Sequence, residues 1–159
     1  MIAVDTNILI YAHRRASPFY EVASKRLIDL SQGAAAWGIP WPCVHEFLNV
    51  VTHPRVFKPP TPLERALDQI DIWRESPSLA LLTESPTHWA TLRGLLLEGG
   101  IVGPRVHDAR IMALCLQYGV REFWSLDRDF SRFPGVKVVN PLIGNDLPPP
   151  RSPREFHED

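Results

Sequence analysis

The sequence predicts an α/β domain built on a central, mostly parallel sheet of five strands. The chain has 159 residues, of which 45% are hydrophobic and 22% charged, so it can bury one substantial core. Short β-type runs alternate with longer helical patterns, which is typical of a parallel sheet covered by helices. No internal repeat interrupts this alternation. We therefore expect one domain over residues 1–143.

Five short apolar runs are the strand candidates. Each is long enough for a short buried strand and is bounded by turn or helix signals. The run at 36–39 has the least regular pattern of the set. The candidates are 2–4, 36–39, 79–82, 122–125 and 136–139.

Start and stop signals mark two helices between these strands. Ser17 and Pro18 precede an apolar face that ends near Gly33, because Ser can cap free amides and Pro tolerates the first helical turn. The segment 61–64, Thr-Pro-Leu-Glu, has the pattern of a capping box. It predicts a second helix with an apolar stripe that includes Leu63 and Leu67.

Two further helices are predicted in the second half of the chain. Ser85 and Pro86 precede an apolar series that starts at Trp89. The next helix spans 106–118, is apolar nearly all round, and stops at Gly119. Such a helix packs deep in a domain, so we do not expect Asp108 in its first turn to be an ordinary solvent-exposed charge. Beyond it, residues 144–159 are rich in proline and predict a flexible tail.

Charge and composition narrow the classes of function. Seventeen basic and 18 acidic residues give a formal net charge of −1, so nucleic-acid binding would depend on local Arg clusters or metal ions. Cys43 and Cys115 are isolated, which indicates neither a zinc site nor a disulfide framework. No signal peptide or membrane-spanning run is apparent. We expect a soluble cytoplasmic protein with no membrane contact.

Acidic residues occur where predicted strands end and helices begin. Asp5 directly follows the first strand and Asp127 the fourth, so both are expected at the edge where carboxyl ends of parallel strands collect. Glu46 lies in a helical pattern after the second strand, and Asp108 begins the buried helix. Clustered carboxylates repel one another unless a positive charge offsets them. The pattern therefore predicts a bound cation.

The donor types indicate which cation. Four carboxylates without a His or Cys partner fit the hard ions Mg²⁺ or Mn²⁺. His45 and His107 precede Glu46 and Asp108, but they are expected to be caps or surface residues. Asp129, two residues after Asp127, is a further candidate ligand, a supporting partner or a cap.

Each of these side chains also has an ordinary structural interpretation. Asp5 and Asp127 could cap the segments that follow them, Glu46 could be solvated, and Asp108 could favour the helix dipole. Joint placement at strand ends and helix starts favours a shared site. Three short polar side chains are suited to orient carboxylates or water, although each could instead satisfy local backbone groups: Thr6, Asn7 and Ser125.

Four segments together resemble the PIN-domain family of metal-dependent ribonucleases, and within it the VapC-like toxins of type II toxin-antitoxin modules. Their order and spacing carry the resemblance, which covers nearly the whole chain. The segments are 4–11 (VDTNILIY), 46–57 (EFLNVVTHPRVF), 107–109 (HDA) and 125–135 (SLDRDFSRFPG).

The resemblance implies a three-layer α/β/α fold and RNA hydrolysis. It assigns Asp5, Glu46, Asp108 and Asp127 to the family's acidic quartet, which is both catalytic and metal-binding. Asn7 and Ser125 would match its supporting polar positions; Ser125 stands where the family often has Thr and keeps the hydroxyl. The resemblance also implies a VapB-like protein antitoxin as partner and frequent homodimerisation.

RNA contacts are expected from arginines near these motifs, since the planar guanidinium suits phosphate. Arginine is also common on protein surfaces, so each has an ordinary solvated alternative. The candidates are Arg14, Arg15, Arg105, Arg110, Arg128 and Arg132.

Two rival functions remain open at this point. A phosphoacceptor receiver domain also clusters acids around Mg²⁺ but needs a Lys at the end of a late strand, whereas Lys137 lies within its predicted strand. The other rival is a catalytically silent PIN-like scaffold that only binds RNA or protein. The complete set of four acids argues against it.

Overall fold

A single sheet of five parallel strands forms the centre of the computed structural model, which describes residues 1–143. All four neighbouring strand pairs are parallel. The predicted fold class and all five strands are thereby confirmed, while the predicted tail at 144–159 lies outside the described residues. The strands are β1 Ile2–Val4, β2 Trp37–Pro40, β3 Leu79–Leu82, β4 Glu122–Trp124 and β5 Lys137–Val139.

Helices cover both faces of this sheet. Connections between parallel strands are right-handed, so helices on the path from β1 to β3 lie on one face and those between β3 and β4 on the other. The packing agrees, since the first helix contacts the second and third, and the fifth contacts the sixth. The helices are α1 Thr6–His13, α2 Tyr20–Gln32, α3 Trp41–Val51, α4 Leu63–Arg74, α5 His88–Gly99, α6 Arg105–Gln117 and a 3₁₀ helix Arg128–Arg132.

The strand order is β3-β2-β1-β4-β5, so the order reverses between β1 and β4. Ligands of open α/β sheets bind beyond the carboxyl ends of the strands at such a reversal. The order also differs from the 2-1-3-4-5 order of flavodoxin-like receiver domains, which removes the phosphoacceptor alternative. Ile8, Leu9 and Phe123 are fully buried beside the reversal and form part of the core.

The predicted side-chain caps of three helices are wrong. Thr61 does not cap α4; its Oγ1 instead lies 3.1 Å from His13 Nε2 and accepts from Arg14 at 3.3 Å. Ser17 and Ser85 each accept the backbone N–H two residues later, in the turn before the helix. Ser17 and Ser85 are each followed by Pro and one further residue before the helix begins, so their hydroxyls lie ahead of the first helical turn, whereas Thr61 is separated from α4 only by Pro62.

Several apolar residues on the predicted stripes face solvent. Leu63 and Leu67 of α4 are 61% and 44% exposed, and Trp89 of α5 is 65% exposed. The buried face of α5 is centred on Leu95, so Trp89 near the helix start turns away from the core. None of the helices within residues 1–143 has the length and apolar character that a membrane crossing requires.

Gly38 in β2 and Gly94 in α5 provide a matched test of this packing. A Cβ at Gly38 would lie 2.9 Å from Leu82 Cδ2, and Leu82 is fully buried, whereas a Cβ at Gly94 would meet nothing within 4 Å. We expect Gly38→Ala to lower the free energy of unfolding by about 1–3 kcal/mol, because the strand is overpacked. Gly94→Ala should raise it by roughly 0.5–1 kcal/mol. Urea denaturation of both variants checks this, and equal effects would contradict it.

Candidate functional site

Asp5 ties β1 to β4 at the point where the strand order reverses. Its backbone N–H donates to Trp124 O at 2.9 Å, and its side chain is 3% exposed. Oδ1 accepts from the Thr6 N–H at 2.7 Å, which caps α1, and Oδ2 accepts from Ser125 Oγ at 2.6 Å. The structural interpretation of Asp5 as a cap is therefore correct, and the same carboxylate also faces the crevice edge.

Thr6 links Glu46 to this position. The hydroxyl of Thr6, in the first turn of α1, donates to Glu46 Oε2 at 3.0 Å. Because α1 packs on α3, this contact turns the half-buried Glu46 toward the carboxyl ends of the strands. Thr6 thus orients a carboxylate, as the sequence analysis allowed.

Ser125 connects Asp5 with Asp127. While its Oγ donates to Asp5, it accepts the Asp127 N–H at 3.0 Å. Asp127 Oδ1 in turn accepts from the Asp129 N–H at 2.9 Å and caps the 3₁₀ helix. The cap leaves Asp127 Oδ2 without a hydrogen bond to any residue in the described part of the chain. Asp129 lies in the first turn of the 3₁₀ helix, with Oδ1 4.0 Å from Arg132.

Three carboxylates interact electrostatically at this edge. Burial is the main cause that raises the pKa of Asp5 to about 7, and the charges of Glu46 and Asp127 contribute to the same shift. Hydrogen bonds from Ser125 and Thr6 act in the opposite direction but are outweighed. Like charges are thus gathered around a buried acid, and no basic side chain within residues 1–143 offsets them.

Asp108 approaches the same edge from the other face of the sheet. The helix α6 leads into β4 through Gly119, so its first turn lies toward the carboxyl ends of the strands. Cys115, seven residues after Asp108 and on the same side of the helix, is near enough to Asp5 for that carboxylate to raise the pKa of its thiol. Asp108 is partly buried. Its position is therefore compatible with the predicted quartet.

The donor set suits a hard cation, although the side chains do not yet enclose one. Within residues 1–143 no three His, Cys, Asp or Glu side chains stand close enough together to hold a metal ion. The donors at the edge are carboxylate, hydroxyl and amide oxygens, the types that Mg²⁺ prefers. Asn7, fully buried two residues after Asp5, has Oδ1 and Nδ2 without a hydrogen-bond partner among the described residues. An orphaned buried amide of this kind indicates that the site lacks a component.

Cys43 is a site residue that the sequence analysis missed. The sequence indicated no zinc site or disulfide at Cys43, but its Sγ lies 3.6 Å from Asp5 Oδ1, within reach of a weak thiol hydrogen bond. Cys43 precedes Glu46 by three residues in α3, so both side chains lie on one face of that helix. That spacing was the available signal.

The six arginines expected to contact RNA fall into two groups. Arg14 donates to Pro59 O at 3.2 Å and stacks 4.2 Å above Phe57, and Arg110 pairs with Glu84 at 2.9 Å, so both bind within the chain. Arg14 and the exposed Arg15 also follow α1, at the opposite end from Asp5. The remaining three begin α6 or lie in the 3₁₀ helix: Arg105, Arg128 and Arg132. His45 and His107 are exposed, as expected.

The fold and the acidic edge define a doubly wound α/β protein with a carboxylate site at its topological switch point. The PIN domain family model matches residues 2–136, and the chain belongs to that family. It is 31% identical over 140 residues to Ribonuclease VapC48 of Mycobacterium tuberculosis, covering 88% of this chain and 97% of that protein. Ribonuclease VapC33 of the same organism is 32% identical over 149 residues, covering 89% and 99%.

Solved structures agree on the fold. VapBC2 from Rickettsia felis matches with a TM-score of 0.62 and 19% identity, covering 87% of this chain and 98% of that chain. VapC20 from Mycobacterium tuberculosis, described as a sarcin-ricin loop cleaving toxin, matches with a TM-score of 0.61 and 16% identity, covering 82% and 93%. The predicted family and three-layer architecture are thereby confirmed.

The raised pKa of Asp5 predicts how stability varies with pH. Between its ordinary pKa of 3.8 and about 7, the folded protein binds more protons than the unfolded chain, so stability falls as pH rises through this window. In EDTA at pH 8, Asp5→Asn should therefore be more stable than the parent protein by roughly 1–4 kcal/mol, with a flatter pH profile. Thermal unfolding from pH 4 to 8 measures this. The exposed Asp68→Asn is the control, and an identical profile for Asp5→Asn would contradict the prediction.

Proposed function

We propose that this chain is a metal-dependent endoribonuclease that hydrolyses RNA phosphodiester bonds and acts as the toxin of a toxin-antitoxin pair. The observation that carries the proposal is the buried carboxylate of Asp5, facing Glu46 and Asp127 at the switch point of the sheet. Membership of the PIN family and the ribonuclease names of the relatives support it. The strand order and the acidic residues together support the proposed hydrolysis at the carboxyl edge of the sheet, between β1 and β4.

We assign the metal to Mg²⁺ or Mn²⁺, held as one or two ions by Asp5, Glu46, Asp108 and Asp127, with Asp129 as a further candidate ligand. When bound, a divalent ion lowers the pKa of a coordinated water and offsets charge on the scissile phosphate. The charges of Glu46 and Asp127 both act on Asp5, which supports a site shared by these three carboxylates.

The polar neighbours of the acids hold them in place. Ser125 keeps Asp5 Oδ2 and the Asp127 backbone in one arrangement, and Thr6 fixes the direction of Glu46. Asn7, two residues after Asp5, has a buried side-chain amide without a hydrogen-bond partner among the described residues. No histidine base is assigned, since His45 and His107, the histidines next to the acids in sequence, point to solvent.

The partner is inferred from the relatives. Two of the matching structures are named as pairs: VapBC2 of Rickettsia felis, described as bound to a promoter DNA fragment, and FitAcB of Neisseria gonorrhoeae, with a TM-score of 0.58. We infer that a VapB-like antitoxin neutralises this chain in the cytoplasm and that the toxin forms a homodimer. If a short reading frame next to the gene of this chain encodes the antitoxin, its co-expression with the chain should restore the growth of the host cells.

A catalytically silent PIN-like scaffold is the second candidate. The observation in its favour is that no three candidate ligands converge within residues 1–143. The two functions differ in cells: a toxic effect that persists unchanged in Asp5→Asn favours the scaffold, and its loss favours the nuclease.

Removing any one acid of the quartet should abolish most of the activity. We expect Asp5→Asn, Glu46→Gln, Asp108→Asn and Asp127→Asn each to lower kcat by roughly 100-fold or more, because each removes a carboxylate ligand of the divalent ion whose positive charge would stabilise the transition state. Asp129→Asn should lower it much less, which distinguishes Asp127 from Asp129. Cleavage of a labelled RNA with Mg²⁺ or Mn²⁺ measures this, with EDTA as the blank.

The exposed Asp68→Asn serves as the matched control and should retain parental activity. Full activity of Glu46→Gln or Asp108→Asn would remove that residue from the site. Circular dichroism of each variant separates lost chemistry from lost folding.

Product ends test the chemistry itself. Attack by water predicts 5′-phosphate and 3′-hydroxyl ends, whereas attack by the 2′-hydroxyl of the substrate leaves a 2′,3′-cyclic phosphate. Mass spectrometry of the fragments distinguishes them. Cyclic phosphate products would show that the proposed mechanism is wrong.

A further inference from the structure

A cavity of about 400 Å³ lies between the end of α5, the start of α6 and the segment that follows the 3₁₀ helix. Its polar lining consists of Arg105, Arg132 and Glu98, and its apolar wall includes Phe133 and Ile101. Two guanidinium groups against one carboxylate give the cavity an excess of positive charge. The site therefore has the charge and donors to hold an anion.

Arg105 has an unused donor inside the protein. Its Nε is shielded from solvent and has no hydrogen-bond partner among the described residues. None of the ion pairs formed within residues 1–143 includes Arg105. Buried N–H groups are nearly always paired in native proteins, so an unpaired one requires an explanation such as a missing ligand.

Arg132 can complete the site without breaking a strong contact. Its side chain is 66% exposed, and its nearest carboxylate oxygen, Asp129 Oδ1, is 4.0 Å away. The first turn of α6, where Arg105 stands, adds the partial positive charge of a helix N-terminus. Glu98 opposes an anion but is the only acid lining the cavity.

The cavity adjoins two of the candidate catalytic acids along the chain. Arg105 precedes Asp108 by three residues in α6 and so lies about one turn away, on the same side of the helix. Arg132 ends the short 3₁₀ helix that Asp127 caps. An anion in the cavity would thus be held by the same two segments that present Asp108 and Asp127.

We propose that Arg105 and Arg132 form a subsite for a backbone phosphate of the RNA substrate, next to the phosphate that is cleaved. The inference rests on the proposed function, because it is the position beside the acidic edge that selects RNA among anions. The subsite positions the substrate and takes no part in bond breaking. It also explains how a chain with a net charge of −1 binds a polyanion.

Binding and cleavage are measured separately to test the subsite. RNA affinity is determined in the Asp5→Asn background, so that the substrate stays intact, and single-turnover cleavage is determined in the parent background. The variants are Arg105→Gln, Arg105→Lys and Arg132→Gln. Arg121→Gln is the matched control, since Arg121 is exposed and precedes β4 at the opposite edge of the sheet.

We expect Arg105→Gln and Arg132→Gln each to weaken RNA binding by about 5–30-fold. The dependence of the binding constant on salt concentration should fall by the equivalent of about one phosphate contact. The cleavage rate at saturating RNA should change less than about threefold, since phosphate contacts position the substrate. Arg105→Lys should recover part of the affinity, because it keeps the charge but loses the planar fork. Arg121→Gln should bind like the parent.

The phosphate itself is identified with single methylphosphonate substitutions, which remove one backbone charge at a time. One position should weaken binding to the parent protein but have little additional effect in Arg105→Gln, since contacting groups are not additive. If every position weakens both proteins equally, or if Arg105→Gln matches Arg121→Gln, the subsite is wrong. A loss of cleavage rate with unchanged affinity would instead place Arg105 in the support of Asp108 and also overturn it.

Failure of the proposed function has a different signature. If the parent protein cleaves no RNA with Mg²⁺ or Mn²⁺, the nuclease assignment is wrong, while the binding comparison still decides the subsite. Should Arg105→Gln fold poorly, Arg132→Gln carries the test, because an exposed side chain can be replaced without disturbing the core.

Discussion

The hydrogen bond from Ser125 to Asp5 is the constraint on which the candidate site depends. It joins residues 120 positions apart and places a buried carboxylate between β1 and β4, where the sheet changes direction. Burying an acid is unfavourable unless hydrogen bonds compensate. Here Ser125 and the Thr6 amide supply them, yet the pKa of Asp5 still rises to about 7. The fold therefore keeps an acid at a position that disfavours its charged form.

A bound cation, as proposed above, would offset this unfavourable arrangement. The charges of Glu46 and Asp127 contribute to the raised pKa of Asp5, and the amide of Asn7, two residues along the chain, is unpaired among the described residues. Residues at functional sites often reduce stability in this way, because their charges and donors are arranged for a ligand rather than for one another. Asp5 and its neighbours thus link the stability of the folded chain directly to the chemistry that we propose for it.

Much of the fold and the position of the candidate site could be predicted from the sequence, because the strongest signals are local. An apolar strand that ends in Asp5, and a second that leads to Ser125 and Asp127, required only the rule that parallel strands end together. The Thr6–Glu46 and Cys43–Asp5 contacts could not be predicted, since they join segments about 40 residues apart through the packing of α1 on α3. Helix caps failed for a different reason: the hydroxyls of Ser17 and Ser85 formed turns before their helices, and the hydroxyl of Thr61 contacted His13 and Arg14 instead of capping α4.

The distribution of charge at the carboxyl edge connects the site with its surroundings. Acids occupy the centre at Asp5, and arginines stand at the margin, where Arg105 and Arg132 share a cavity. A polyanion cannot approach the acids by attraction alone, so its backbone must be held beside them while a cation neutralises the centre. Because α6 carries both Arg105 and Asp108, one helix fixes the distance between the proposed phosphate contact at Arg105 and the candidate catalytic acid Asp108. Under the proposed function, α6 would couple substrate binding at Arg105 to the chemistry at Asp108.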